Sequence, residues 1–510
     1  MIRINAPLSF WQLAIGGAAS VGSWLALKAL WNLFLSPLAR QRIPGPSYAA
    51  ASNTWFMWHV FRFDRVHRIH ELFDKYGPVV RIAPNRVVFK DMEAVQEIYR
   101  THKFRKSDWY ASKTIGGNPS SFTTKDPEMY NRFKRWSGPA FRTDNLRGYD
   151  QAIQPELNDL VDRIRQDCGD GQFMDAVKLY GWLSLDILGI TILGQPLDQI
   201  ATGQDHRMTK LIDLWIMDKI LIVLLPQLIY KCLWRLPIAP LRHIFDADAG
   251  ICEYAANRYE LADDEKDLDK RANLLTAYKT YRDPSTNESV PKHLVLSEVS
   301  TFMAAGIDTI TTSLTYATYE LARSHIIWTT LRTELANSHG ERTLEALQNL
   351  PYLNAFIREL LRVHTASGFY LERVVPDGGA MLSGYFIPAG TIVGAQSLSI
   401  HRDASLFPEA ECLKPERWVR QRADGSWNRR EDISSAQEAA WIPFSLGVRI
   451  CPGRHLAELE LLRVITTVVS NFRIHLHASA TPESMKEIDM SILRPRAGRC
   501  LVYFEYDPIT

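Results

Sequence analysis

Apolar residues recur every three to four positions through most of residues 150–365, with few interior Pro or Gly, and this spacing predicts a succession of helices. The longest is traced by Val299, Phe302, Met303, Gly306, Ile307, Ile310, Leu314, Ala317 and Leu321. Before that region, residues 79–82 and 86–89 alternate around Pro84-Asn85, the signature of two strands joined by a turn. Beyond residue 365 Gly and Pro become more frequent, and short strands are expected near 371–375 and 391–395. The charged segment 420–440 reads as a solvent loop. There is no internal repeat, no low-complexity tract and no second linker. The expected fold is mainly α with small β-sheets, in one domain spanning 47–510.

The first forty residues follow a different pattern. Residues 4–27 contain no charged side chain, and as a helix rising ~1.5 Å per residue they would cross a hydrocarbon core of ~30 Å. Trp11, Trp24 and Trp31 could sit at the interfaces, with Lys28 snorkelling at the end. Arg40 and Arg42 follow the apolar stretch, against a single Arg3 before it, so the positive-inside rule places the body on the cytosolic face. The stretch is longer than the apolar region of a cleaved secretory signal. Ile43-Pro44-Gly45-Pro46 cannot continue a helix. The expected organisation is therefore an anchor over 1–40, a hinge at 41–46 and a globular body. A second apolar segment within 206–235, with runs at 211–217 and 220–225, suits either a buried helix or one dipping into the same bilayer.

Composition narrows the function classes. Apolar residues make up 46% and charged residues 23% of the 510-residue chain, which excludes a disordered protein. The 59 Lys and Arg against 57 Asp and Glu leave a net charge of +2, so no basic surface for nucleic acid is implied. The cysteines Cys168, Cys232, Cys252, Cys412, Cys451 and Cys500 include no CxxC pair, and five of them read as small buried hydrophobes in a reducing compartment.

Cys451 reads differently. It lies in Phe444-Ser445-Leu446-Gly447-Val448-Arg449-Ile450-Cys451-Pro452-Gly453, just before an apolar-periodic run. Glycines permit a sharp turn and close approach to a flat ligand. Pro452 suits the first position of a helix, which would put the sulfur at a helix N-terminus, where thiolate is favoured. Such a thiolate can ligate haem iron. Upstream, Ala305-Gly306-Ile307-Asp308-Thr309 lies within the long helix. Gly306 leaves room beside the backbone, Thr309 can bond the carbonyl four residues back and bend the helix, and Asp308 with Thr309 forms an acid–alcohol pair able to pass protons.

The ten residues ending at Gly453 match the FxxGxRxCxG signature of the cytochrome P-450 family at every fixed position, and the chain resembles that family from about residue 79 to its C-terminus. The resemblance implies haem b (iron protoporphyrin IX) with Cys451 as the axial thiolate, and Phe444, Gly447, Gly453, Ala305 and Gly306 against the ring. It makes Arg449, Arg373 and, in place of the usual WxxxR, Tyr130 and Lys134 the partners of the propionates. Glu359 and Arg362, an ExxR pair, and Arg417 are similar to the family's buried network behind the haem and are structural. Ile310 replaces a hydroxyl residue common in the family, leaving that hydroxyl missing or moved to Thr312. Substrate contacts are expected in 107–124, on the long helix at Met303, and at Ala366, Ser367 and Phe369.

The implied activity is monooxygenation: hydroxylation or another oxidation of a lipophilic small molecule with dioxygen. No dinucleotide fingerprint occurs in the sequence, so electrons from NADPH would arrive through NADPH–cytochrome P-450 reductase on the same membrane, the endoplasmic reticulum. His401-Arg402-Asp403 echoes a kinase catalytic loop, but Pro408 stands where that loop needs Asn. A haem-thiolate isomerase or dehydratase is the catalytic alternative, disfavoured by Asp308-Thr309, and a non-catalytic haem-binding membrane protein is the other. Leu371–Pro376, Gly378-Gly379 and Pro415–Trp418 look most like filamentous-fungal members of secondary metabolism, with terpenoid, polyketide or alkaloid substrates.

Overall fold

The structure, a computed structural model, describes residues 10–264, 273–338 and 340–509. The apolar stripe centred on Ile307 forms a continuous helix of 32 residues, Lys292–Arg323. Around it lie Ala176–Leu188, Ala239–Asp264 and Arg454–Asn471. Ala176–Leu188 is apolar on nearly every side, and ten of its thirteen residues are buried. Its buried Asp186 is satisfied by accepting the backbone N–H groups of Gln199 and Ile200, at 3.1 and 2.8 Å. Tyr180 and Thr318 share a hydrogen bond of 2.6 Å between this helix and the long one.

The largest sheet contains β1 (Val79–Ala83), β2 (Arg86–Phe89), β3 (Arg105–Lys106), β4 (Arg373–Val374) and β5 (Ile392–Ala395), in the spatial order β1-β2-β5-β4-β3. β1 and β2 form the expected hairpin, with Val79 opposite Phe89. β2 and β5 run parallel, Arg86 opposite Ile392, whereas the other neighbours are antiparallel. A second sheet joins Phe472–Leu476, Leu501–Tyr506 and Met174–Asp175, tying the C-terminus to the start of Ala176–Leu188. The charged 420–440 segment is not a loop. It holds a hairpin, Val419–Gln421 with Trp427–Arg429, and a helix, Ser435–Ala440, started by a Ser434–Gln437 capping box.

Among the described residues three helices are long and apolar enough to cross a bilayer. Two, beginning at Ala176 and Lys292, are mostly enclosed by protein and belong to the core. The third begins at Phe10 and runs through the wider turns of Trp31–Leu35. From Val21 to Leu35 its large side chains other than the half-buried Leu33, Trp24 and Phe34 among them, are exposed. The expected span over residues 4–9 lies outside the described residues.

The Pro/Gly segment after this helix does not behave as a free hinge. Pro44 accepts the Arg81 backbone N–H at 2.7 Å, and Gly45 lies so close to Arg81 that a Cβ would stand 2.4 Å from its carbonyl oxygen. The Arg81 guanidinium reaches back to the Asn32 carbonyl at 3.0 Å, and Asn32 donates to Ala51 at 2.8 Å. The 206–235 segment is also divided. Arg207–Leu224 turns Ile212 and Ile220 inward, while Gln227–Trp234 buries nothing and exposes Leu228, Ile229 and Trp234.

His401 is fully buried and its Nε2 accepts the Ile442 N–H at 2.9 Å. Burial, with Arg362 and Arg402 nearby, pushes its imidazole down to about 3, so it is neutral in the folded protein. The unfolded chain takes up this proton near pH 6.5. The group's contribution is therefore full above that value and lost as pH falls toward 3, by up to about 1.4 kcal/mol per pH unit. Urea titrations of His401→Gln at pH 4 to 6, set against the unsubstituted protein, are expected to show a flatter loss of stability; an unchanged slope would contradict the assignment.

Candidate active site

The loop before Arg454–Asn471 is shaped by two residues with positive φ, Ser445 at 63° and Gly447 at 73°. A Cβ on Gly447 would stand 2.1 Å from the Tyr99 carbonyl oxygen, so this glycine serves the seating of the loop on Tyr99-Arg100. It does not line the cavity, contrary to its expected place against a ligand. The Cys451 N–H donates to the Phe444 carbonyl at 3.0 Å, closing the loop. Pro452 is not the first helical residue: Pro452-Gly453 is a turn, Gly453 is the N-cap and the helix starts at Arg454. Cys451 is exposed, but to an interior cavity of about 410 Å³ that Phe444, Arg449 and Gly453 also line. A Cβ on Gly453 would meet only the Cys451 Sγ, at 4.0 Å. Burial pushes the thiol up, opposed by the Gly453 N–H and Arg454.

Behind the loop, Glu359 and Arg362 of the helix Pro351–Val363 are wholly buried. Arg362 grips Glu359 with Nε and Nη2, at 2.9 and 2.7 Å. Arg417 donates to Glu359 at 3.1 Å, and Trp418, whose part the sequence did not reveal, donates through Nε1 at 2.8 Å. Arg362 also donates to the carbonyls of His401, Ala410 and Cys412, at 2.6, 2.7 and 3.2 Å. One turn earlier the Arg358 carbonyl accepts from Trp441 at 3.0 Å, leading into the cysteine loop.

The long helix presents Phe302, Ala305, Gly306, Asp308 and Thr309 to the same cavity. Met303, expected at the substrate, points into the core beside Val299 and Ile307. The stripe divides: Val299, Met303 and Ile307 face the core, whereas Phe302, Gly306 and Ile310 line the cavity. A Cβ on Gly306 would come within 2.6 Å of Leu188, so the glycine also permits close approach of Ala176–Leu188. The Thr309 hydroxyl donates to the carbonyls of Ala305 (3.1 Å) and Gly306 (3.2 Å), with the helix unbroken. Asp308 does not bond Thr309; it is paired with Arg494 of the distant strand Leu493–Pro495. The hydroxyl one turn on is Ser313, not Thr312: both are buried, but Ser313 lines the cavity and donates to the Thr309 carbonyl at 2.9 Å.

Cations gather at one edge. The Arg449 guanidinium lies 3.7 Å from the Tyr130 ring centroid and donates to the Ser121 carbonyl at 3.3 Å, with no carboxylate partner among the described residues. Burial lowers it to about 10. Tyr130 and Lys134, from Pro127–Ser137, line the cavity as well. Arg373 stands one layer behind, donating to the Tyr110 hydroxyl at 3.1 Å and absent from the cavity wall. Lys106, which no local sequence signal marks, is buried and donates to the Phe122 carbonyl. Of the remaining substrate candidates, Ala366, Ser367 and Phe369 all line the cavity. Of the five other cysteines, Cys168 and Cys500 are buried and Cys252 half-buried, but Cys232 and Cys412 are exposed.

A family model described as Cytochrome P450 matches residues 49–501. The chain belongs to the cytochrome P450 family. Among similar proteins, cytochrome P450 monooxygenase aflV of Aspergillus parasiticus is 28% identical, over 98% of this chain and 97% of its own length. Cytochrome P450 monooxygenase orf2 of Aspergillus niger is 27% identical, over 93% and 94%. Pisatin demethylase of Fusarium vanettenii is 27% identical, over 89% and 87%. This cytochrome P450 is a haem-dependent monooxygenase. The residues present fit that cofactor: a thiol and a side-chain-free Gly453 at one wall, and at one edge an arginine that no carboxylate among the described residues neutralises.

Glu359→Gln leaves Arg362 and Arg417 buried without a full counter-charge. It is expected to cost about 3 kcal/mol or more of stability and to lower the haem bound per chain. Trp418→Phe, which removes one donor, is expected to cost about 1 kcal/mol. Urea midpoints and haem content check both, and an unperturbed Glu359→Gln protein would contradict the structural role.

Proposed function

We propose that this cytochrome P450 inserts oxygen into a lipophilic small molecule of fungal secondary metabolism. The observation that carries the reading is that Cys451 and the Ala305–Thr309 turn line a single, largely apolar cavity, with Arg449 at its edge. Haem, when bound, supplies dioxygen activation; the Cys451 sulfur would hold its iron, and Arg449, Tyr130 and Lys134 would be its polar partners. The relatives support a fungal oxidative role, and the resemblance of Leu371–Pro376 and Pro415–Trp418 supports secondary metabolism. Electrons would come from NADPH through NADPH–cytochrome P-450 reductase. The apolar helix Phe10–Leu30, whose large side chains from Val21 to Leu30 are exposed, would anchor the protein in the endoplasmic reticulum membrane, with Arg40 and Arg42 and the body on the cytosolic side. The exposed Leu228, Ile229 and Trp234 suit a second contact with the same lipid.

The protein's own contribution to the chemistry is proton positioning. The Thr309 hydroxyl donates to helix carbonyls, which leaves its oxygen lone pairs directed to accept a hydrogen bond from the cavity. Asp308, paired with Arg494, places a carboxylate at the same turn. In membranes with the reductase, Thr309→Ala is expected to keep consuming NADPH while product per NADPH falls by about 10². Unchanged coupling would contradict the role of Thr309.

A further inference from the structure

One part of the cavity carries a buried cation that no carboxylate among the described residues neutralises. Lys113 follows the short helix Asp108–Ala111, is 8% exposed and lines the cavity. Its ammonium lies 5.3 Å from the Trp109 ring centroid, and no hydrogen-bond acceptor for Nζ is present among the described residues. A cation over an aromatic face recovers only about 0.5–2 kcal/mol, far less than an ammonium loses on leaving water.

The surrounding carboxylates are committed elsewhere. Asp218 accepts from Lys219 at 3.0 Å and from the Tyr230 hydroxyl at 2.7 Å. Asp489 holds Arg65, at 2.9 Å to Nε and 2.8 Å to Nη2. Asp248 accepts the Gly116 N–H at 2.8 Å and Trp215 Nε1 at 3.1 Å, with Lys219 at 3.6 Å. Burial, then repulsion from Lys219 and Arg65, lowers the Lys113 ammonium to about 7. An anionic oxygen placed on Nζ would reverse that, because a charge-assisted hydrogen bond is strong where water is excluded. The cavity wall is largely apolar: Trp109 and Phe369 pack with ring centroids 5.5 Å apart, and Ile115 and Ile216 line the same cavity.

We propose that the substrate is an amphipathic acid, whose carboxylate is held by Lys113 while its apolar body fills the cavity shared with Cys451. This rests on the monooxygenase reading of the same cavity and adds the class of molecule it takes. Lys113 is then the residue that determines specificity for the acid.

The test is the change in the Soret band of the purified haem-loaded protein at about pH 7. It is titrated with dodecanoic acid and with 2-naphthoic acid, each against its methyl ester. At least one acid is expected to bind about tenfold more tightly than its ester, a difference of about 1.4 kcal/mol. Lys113→Met should erase the preference while leaving ester affinity within about twofold, and Lys113→Arg should retain it. If neither acid outbinds its ester, or if Lys113→Met keeps the preference, the proposal is overturned. The acid–ester comparison on the unsubstituted protein decides even if Lys113→Met does not load haem. The reduced carbon-monoxide spectrum of the same sample separates the two readings. A thiolate band without acid preference removes only the proposal, and a missing band removes the monooxygenase reading beneath it.

Discussion

A carboxylate with no access to water must be surrounded by donors, and the pairing of Glu359 sets where Cys451 can stand. Glu359 accepts from Arg362 of its own helix and from the adjacent Arg417 and Trp418, so the segment at 417–418 is tied to that helix. Arg362 then uses its remaining donors on the carbonyls of His401, Ala410 and Cys412. His401, held at its carbonyl, directs its imidazole to the Ile442 N–H, and Ile442 opens the segment that turns at Ser445 and Gly447. The last link is the Phe444 carbonyl receiving the Cys451 N–H. Each bond is ordinary in strength. Together they leave the loop little freedom, because breaking any one strands a buried polar group.

The opposite wall obeys a packing constraint. The long helix must bury Val299, Met303 and Ile307 in the core, and this rotation turns Phe302, Ala305 and Thr309 toward the cavity. Gly306 sits where the neighbouring helix brings Leu188 close, so one residue serves both the helix contact and the cavity. The cavity is thus a by-product of how two faces of one helix are assigned. Among the charges on its wall, Arg449 has no carboxylate partner and Lys113 no hydrogen-bond acceptor among the described residues, whereas Asp308 is held by Arg494.

Local pattern carried much of this. The β1–β2 hairpin and the long helix follow from periodicity, and the cysteine loop follows from a ten-residue motif with five fixed positions. Features that failed to show locally depend on partners remote in sequence. Arg494 is 186 residues from Asp308, and Glu359 is 59 from Trp418. Gly447 looked like a ligand-facing glycine because its partner, the Tyr99 backbone, is invisible to a local reading. Met303 and Phe302 are adjacent apolar residues, and only the placement of the neighbouring helices decides which one sees the cavity. The Pro/Gly segment at 43–46 reads as a joint, yet hydrogen bonding to β1 fastens it. Charge density suggested a loop at 420–440, where cross-strand pairing and a capping box impose order.

Thiolate ligation by Cys451 is the claim on which the rest stands, and the absorption spectrum of the reduced protein under carbon monoxide measures it directly. The account predicts a Soret band strongly shifted to the red, as a thiolate ligand produces, retained in Cys412→Ser and abolished in Cys451→Ser. A protein that binds haem without that band, or a Cys451→Ser variant that keeps it, would contradict the account.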